Sequence, residues 1–503
     1  MQLRKKKVGL GRAIGWGITD SMGGGSGTIM GTYLLFFLTT YAGLPALQAA
    51  SIFGISRLVD MATNIIVGSL TDNFYKTKLG QKYGRRRFFL LIGSPLMLIF
   101  GLMWLPGLPF LFYLAIYMMF DMLDSIVMIP YVTLPSEMTD DYDERTLMST
   151  TRMFFSGLTG TVATTIAGVL LKVFGEDNSI AYTIMGMGFA VYFMIVVFIT
   201  YKATWERPYT PEMIAEINNP NREKLSIKYF VSLIKQELVH YFTTLKVRAF
   251  RQHLSIYLLA LTAQDIFSQL FVYFVVFDLL KTASFASALL AVGIIGVPFT
   301  PVWGWLFIKI GPKNLYTISF SLVIALLAAF TGLYYFKVTG HLLVTLAFII
   351  SAMYQLFKGI LYFVPWNVFP FIPDVDQIMT RQRREGHFAG MMNFSRKATG
   401  SVAALVVGFC LTQIHFQSGA TTQTSGVQLG LANLILFGVG GVTLLAWLIA
   451  TKFNLNKKNH HKLVAEIARL EAGGSKETVD TETRKIVESL TGIPYEKVWP
   501  EKV

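Results

Sequence analysis

A single cysteine, Cys410, stands among 503 residues, so no disulfide can form within the chain and no cysteine-rich metal site exists. It falls in an apolar run and reads as a small core or lipid-facing residue. Charge is scarce too: 15% of residues are charged, against about 25% in soluble domains. The seven histidines form no metal-spaced cluster. Neither a nucleophile motif nor a phosphate-cradling loop is evident. An enzyme, a cofactor and a resident metal are therefore not expected. No cleavable leader is evident either. The basic start, Arg4 to Lys7, runs into a long apolar segment without a small-residue cleavage site, and is read as preceding an uncleaved first span.

What fills the chain instead is hydrophobic, at 53% of residues, with 14% aromatic. Apolar segments fall at roughly 13–42, 46–73, 87–106, 109–134, 148–173 and 180–202, then at roughly 251–280, 284–310, 314–337, 341–372, 386–415 and 427–452. About 20 apolar residues cross a bilayer as a helix, so these predict twelve membrane spans in two sets of six. The polar stretch 203–250, with Pro208, Pro211 and the run Asn218-Asn219-Pro220-Asn221, reads as a linker. Residues 453–503 read as a soluble tail.

The formal net charge of +14 does not point to nucleic acid in such a chain. It reads as loop charge on one membrane face. Lys76, Lys78, Lys82, Arg85, Arg86, Arg87, Arg145, the linker, Lys309, Lys313, Arg381, Arg383 and Arg384 all fall on one side. Lys172, Lys281 and Lys337 fall on the other. The positive-inside rule then predicts cytoplasmic termini and an even number of spans.

Two six-helix bundles, 1–202 and 251–452, joined by a basic linker make an all-α membrane protein with the plan of the major facilitator fold, with substrate near the midplane. Other transporter folds also reach twelve spans. The loop from Gly68 and Asp72 to Gly84-Arg85-Arg86-Arg87 resembles that superfamily's cytoplasmic signature in stretched form. Gly23, Gly27 and Gly31, four apart on the first span, are expected to let a neighbouring helix approach.

Ionisable groups at membrane depth cost roughly 2.5–3.5 kcal/mol each on insertion scales, so each asks for a partner or a function. They are Asp20, Arg57, Asp60, Asp121, Asp124, Arg152, Asp265, Lys358, Arg396 and Lys397. Arg57, Asp60 and Asn64 share a helix face at i, i+3 and i+7, with Thr63 beside them. Such a set either holds a proton or small cation through oxygen atoms, or is an ion pair that fixes packing. Asp20 and Arg152 suit sugar hydroxyls, one accepting and the other donating in a fork. Tyr131 and Trp366 are candidate platforms for a pyranose face. Asp265 and Lys358 fit a substrate role or an interhelical lock equally. Lys397 is a candidate to compete with a cation for Asp60, coupling ion to substrate.

In order along nearly the whole chain, several motifs resemble the glycoside–pentoside–hexuronide:cation symporters. They are Thr19-Asp20; Arg57, Asp60, Thr63, Asn64 and Gly68; Lys78-Leu79-Gly80; Tyr83 to Phe88; and Ile129-Pro130-Tyr131. Further on come Asp143-Glu144-Arg145, Arg152 to Phe155, Asp374-Val375-Asp376, Arg383 to Gly386 and Lys397. The tail, with Leu470 to Ser475 and Leu490 to Trp499, looks like that of some bacterial members. The resemblance implies a sugar:cation symporter working by alternating access. It would be a multi-pass protein of a bacterial plasma membrane, whose partners are a small sugar and the bilayer. It implies substrate contacts from Asp20, Asp124, Tyr131, Arg152, Trp366 and Lys397, and cation coupling at Arg57, Asp60, Thr63, Asn64 and Lys397. Two departures bear on this. Asn64 stands where the family usually has a second aspartate, which favours H+ over Na+ at Asp60. Met128 stands where the family's best-known member has an aspartate, with Asp124 one turn earlier. A uniporter or exchanger, an amphiphile carrier of the same fold and a transport-inactive sugar sensor are the alternatives.

Overall fold

Broken helices, rather than unbroken rods, carry this chain through its twelve passages. The computed structural model describes residues 7–139, 142–175, 179–207, 214, 239, 241–382 and 384–500. Most of the 203–250 linker, including Pro208, Pro211 and 218–221, lies outside the described residues, as does Arg383. So do the side chains of Asn64, Asp72, Asp143 and Arg145 and the surroundings of Gly68.

Among the described residues the passages are α1 (10–40), α2 (Ala46–Asn73), α3 (Arg87–Leu102), α4 (Phe110–Met138), α5 (Tyr142–Phe174) and α6 (Ile180–Ala203). They continue as α7 (Arg248–Asp278), α8 (283–310), α9 (312–335), α10 (Gly340–Val368), α11 (Glu385–Gln413) and α12 (Ser425–Ala450). Among the described residues eight helices are long and apolar enough to cross a membrane, and Arg87–Leu102 and Ala283–Gly296 are shorter apolar helices. The twelvefold count depends on one residue: Gly311, at φ 79° and ψ 166°, divides an otherwise continuous run Thr300–Tyr335 into the end of α8 and α9. A left-handed φ is costly for any residue with a Cβ, so glycine fits the break.

Other breaks are π turns, which insert a residue into a helix. They occupy Met30–Leu34 in α1, Phe274–Asp278 in α7 and Leu434–Val439 in α12. Proline makes a different break in α4. Pro135 has no N–H to give the carbonyl of Tyr131 four residues back, and the Trp16 indole takes that acceptor, Nε1 to O at 3.0 Å. Freed backbone groups in lipid need such substitutes.

The helices gather into two compact units. The first comprises residues up to 231 with Phe271–Ala291 and Ala404–Val427, so it takes one end each of α7, α8 and α11. Those ends pack on α1, α2 and α5. Tyr33 donates to Ser287 Oγ at 2.7 Å, Thr39 and Tyr273 hydroxyls meet at 2.7 Å, and Phe36, Tyr273, Phe277 and Phe416 make edge-on or tilted ring contacts. Gly408 lies so close to Ala50 that a Cβ there would collide with it.

The second unit holds the rest, 232–270, 292–403 and 428–503. Its tail is folded: α13 (Lys457–Glu471) and α14 (Thr481–Thr491) form a hairpin. Burial and the neighbouring Glu466 carboxylate push the Tyr495 hydroxyl up to about 12. The hairpin docks on the short helix Ile372–Thr380 between α10 and α11. Trp499 N–H donates to the Ile378 carbonyl at 2.8 Å, His460 Nε2 lies 2.8 Å from Asp374, and the Arg381 guanidinium covers the Trp499 ring at 4.7 Å.

Candidate functional site

Each unit contains its own cluster of buried charge. In the first, α1 is interrupted at Ile18 and Thr19, and Asp20 opens the helical stretch that follows. Close approach of α5 then puts Arg152 within reach. A Cβ on Gly17 would lie 2.8 Å from the Arg152 nitrogen, and one on Gly24 would run into the Ser156 carbonyl. Gly27 and Gly31, by contrast, have nothing within 4 Å of such a Cβ, and Gly23 meets only the tip of Met128 at 3.5 Å. The contact stripe is thus Gly17 and Gly24, which share a face at i and i+7, not the evenly spaced triplet. Across it, Arg152 Nε donates to Asp20 Oδ1 at 3.0 Å, and Asp20 is 6% exposed.

Behind this pair the Trp16 and Tyr131 rings stack at 4.8 Å, and Tyr131 is fully buried. One face of Tyr131 is therefore taken by Trp16. Three further carboxylates collect around Arg57. Its Nη1 donates to Asp60 Oδ2 at 3.0 Å, while Ser125 Oγ on α4 donates to Asp60 Oδ1 at 2.7 Å. Asp60 is 2% exposed. Asp121 and Asp124, with Tyr117, lie in the same electrostatic neighbourhood. The Thr63 hydroxyl donates to its own helix, to the Val59 carbonyl at 2.9 Å. Asn64 lies outside the described side chains.

In the second unit the signs reverse. Arg396 of α11 grips Asp265 of α7 in a two-pronged pair, Nη1 to Oδ2 at 2.5 Å and Nη2 to Oδ1 at 2.9 Å. Tyr257 and Tyr362 bear on both charges, and Lys358 bears on Asp265. Lys358 also donates to Gln355 Oε1 at 3.2 Å. Lys397 is half-buried beside Arg396. Trp366 is 49% exposed and stands edge-on to Tyr257 at 6.0 Å. The structure thus brings Asp20 to Arg152 in one cluster and Arg57, Asp60 and Asp124 together in another. Trp366 and Lys397 belong to the second unit.

Three participants escape a reading by residue type. Ser125 is a serine in an apolar run, although it follows Asp124 and lies one turn after Asp121. Trp16 is signalled only by the proline four residues after Tyr131. Asp278, buried at the end of α7 with neither carboxylate oxygen hydrogen-bonded, shows as a lone acid closing a long apolar run. Among the described residues no group of three His, Cys, Asp or Glu side chains has the geometry to hold a metal.

Loops outside the helices are anchored by carboxylates in both units. Glu137 at the end of α4 accepts from Arg85 and from Arg86 Nη1, the latter at 2.6 Å. Asp376, fully buried, receives Arg384 through Nε at 2.9 Å and Nη2 at 2.6 Å.

A helical protein with twelve passages and paired charges buried along them is a polytopic membrane transporter, not an enzyme. Residues 15–457 match the family model described as MFS/sugar transport protein. The chain belongs to that family, the sugar-transport branch of the major facilitators that includes the glycoside–pentoside–hexuronide symporters. It is 26% identical over 473 residues to the uncharacterised symporter YjmB of Bacillus subtilis strain 168, across 92% of this chain and 96% of that one. It is 22% identical over 450 residues to the glucuronide carrier protein homolog of Escherichia coli K12, across 86% and 90%. Among solved structures, the inward-facing, unoccupied bacterial homolog of the human lysosomal transporter Spinster matches with a TM-score of 0.58. It is 11% identical and covers 98% of each chain, a likeness of fold.

Proposed function

We propose that this protein carries a glycoside, pentoside, uronide or short oligosaccharide in symport with a proton, by alternating access. The observation that supports proton coupling is Asp60, the one acid on its face of α2, buried and held by Arg57 and Ser125, with Asp121 and Asp124 nearby on α4. A single titratable group suffices for a proton, whereas sodium favours more oxygens and more charge. Asn64 in place of a second acid points the same way.

In this reading Asp20 and Arg152 bind sugar hydroxyls, with Asp124, Tyr131, Trp366 and Lys397 completing the substrate set. Arg57, Thr63 and Asn64 complete the coupling set. Lys397 answers the charge on Asp60, so protonation biases which side opens. A bias of this kind requires different affinities in the two states. The bundles 1–202 and 251–452 are the moving parts. Both termini face the cytoplasm of a bacterial cell on the lysine and arginine asymmetry.

The test is counterflow and uptake in proteoliposomes, with labelled glycosides, at two pH values, with and without sodium. Uptake that follows an imposed proton gradient and ignores sodium is expected. Sodium-driven uptake at constant pH would replace the proton. Exchange without accumulation would mark a uniporter, and no flux of any sugar would remove the transport reading.

A further inference from the structure

A cavity of 340 Å³ lies away from the charge clusters, between the connector that joins α2 to α3 and the end of α6. Its walls come from Gln81, Lys82, Tyr83 and Gly84 on one side and from Tyr201, Trp205, Glu206 and Arg207 on the other, with Arg87 between. Because α3 begins at Arg87 and α6 ends at Ala203, this is where two helices leave the lipid. Tyrosine and tryptophan collect at that level in membrane proteins.

The charge balance of the walls is one-sided. Lys82, Arg87 and Arg207 oppose one acid, Glu206, and that acid is already committed. Its carboxylate accepts the backbone N–H groups of Arg85, Arg86 and Arg87 at 2.8, 2.8 and 2.7 Å. Gly84 makes this possible. It sits at φ 96°, and a Cβ there would lie 2.7 Å from the Glu206 carboxylate.

Arg87 is held in place by its own contacts, its guanidinium 4.6 Å over the Tyr201 ring and Nη2 donating to the Tyr201 carbonyl at 2.9 Å. Its Nε is buried and has no hydrogen-bond partner. Arg12 covers the Trp205 ring at 4.7 Å, adding a cation at the rim. A guanidinium fixed on Tyr201, two exposed cations, Lys82 and Arg207, and aromatic walls make a receptor for a tetrahedral oxyanion. The volume falls within the range of small-ligand pockets.

We propose that this pocket binds a phosphate group, supplied by the headgroup of an anionic phospholipid. An interfacial position and aromatic walls suit a headgroup whose chains remain in the bilayer. Occupancy would tie the α2–α3 connector to the end of α6 and so stabilise the first unit, apart from any sugar site.

The full chain, purified in detergent, is examined by native mass spectrometry with phosphatidylglycerol and with phosphatidylcholine. Thermal melting is followed with each lipid and with inorganic phosphate. Wild type is expected to retain phosphatidylglycerol about tenfold better than phosphatidylcholine. In the double variant K82Q/R207Q that preference falls about tenfold. Arg87→Gln is expected to lose it as well. If Arg87→Gln does not fold, the double variant still decides. Lys485→Gln, on α14, leaves the preference unchanged. Stabilisation by millimolar inorganic phosphate that K82Q/R207Q abolishes would keep the anion site but assign it to the free ion. Equal retention of both lipids by wild type, or a preference unaltered in K82Q/R207Q, with no effect of phosphate, would overturn the proposal.

Discussion

The two units solve the problem of buried charge with opposite signs. In the first, Asp20, Asp60, Asp121 and Asp124 outnumber Arg57 and Arg152. In the second, Arg396, Lys358 and Lys397 outnumber Asp265. Asp20, Asp60 and Asp265 are each held by a guanidinium, but the grips differ. Asp265 is clasped by two parallel hydrogen bonds, the geometry in which arginine binds carboxylate most firmly. Asp20 receives Arg152 through Nε, and Asp60 receives Arg57 through Nη1 and Ser125 through its hydroxyl. In the transport we propose, the acid-rich first unit supplies Asp60 and Asp20, and Lys397 of the second unit supplies the answering charge.

The strongest test of that contrast is Asp60→Asn. Concentrative uptake is expected to fall at least about tenfold, with sugar exchange retained; a tenfold effect corresponds to about 1.4 kcal/mol. Full accumulation by the variant would remove Asp60 from coupling. Next comes Asp20→Ala, expected to weaken sugar binding about tenfold or more at every pH, since the loss is of a hydrogen-bonding group rather than of a coupled proton. Binding measured by tryptophan fluorescence or counterflow that matches wild type would show that the Asp20–Arg152 pair only packs helices.

A smaller effect on transport, but a clear one on stability, is expected at the clasp. Arg396→Gln alone strands Asp265 and should cost about 1–3 kcal/mol. Adding Asp265→Asn should recover most of it in a thermal melt. Additive losses would mean that the two residues do not act as a pair. Smallest is the glycine comparison. Gly24→Ala should cost about 1–3 kcal/mol by overpacking against α5, and Gly27→Ala should be neutral or slightly stabilising. Equal effects would place the α1–α5 contact elsewhere.

Fold and membership were readable because they rest on long features: apolar runs near 20 residues, and motifs in order from Thr19 to Lys397. The charges at depth were readable for the same reason, since each is conspicuous against lipid-soluble neighbours. What composition and spacing did not reveal is which charges meet. Even spacing singled out Gly23, Gly27 and Gly31, but the glycines that meet α5 are Gly17 and Gly24, one face at i and i+7, and only the tertiary contact tells the two stripes apart. Arg396 and Asp265 are 131 residues apart, and no local period links them. Ser125 and Trp16 carry no charge to draw notice. Their roles come from acceptors left open by tertiary contacts and by Pro135.

The π turns carry a consequence for comparing this chain with its relatives. Each one accommodates an extra residue without lengthening the helix by the usual rise, so everything beyond it is rotated by about a quarter turn or more relative to an unbroken rod. Matching positions across Met30–Leu34, Phe274–Asp278 or Leu434–Val439 by helical phase will therefore slip by one residue against any relative lacking the insertion. Functional positions transferred along α1, α7 and α12 should be assigned separately on either side of these points.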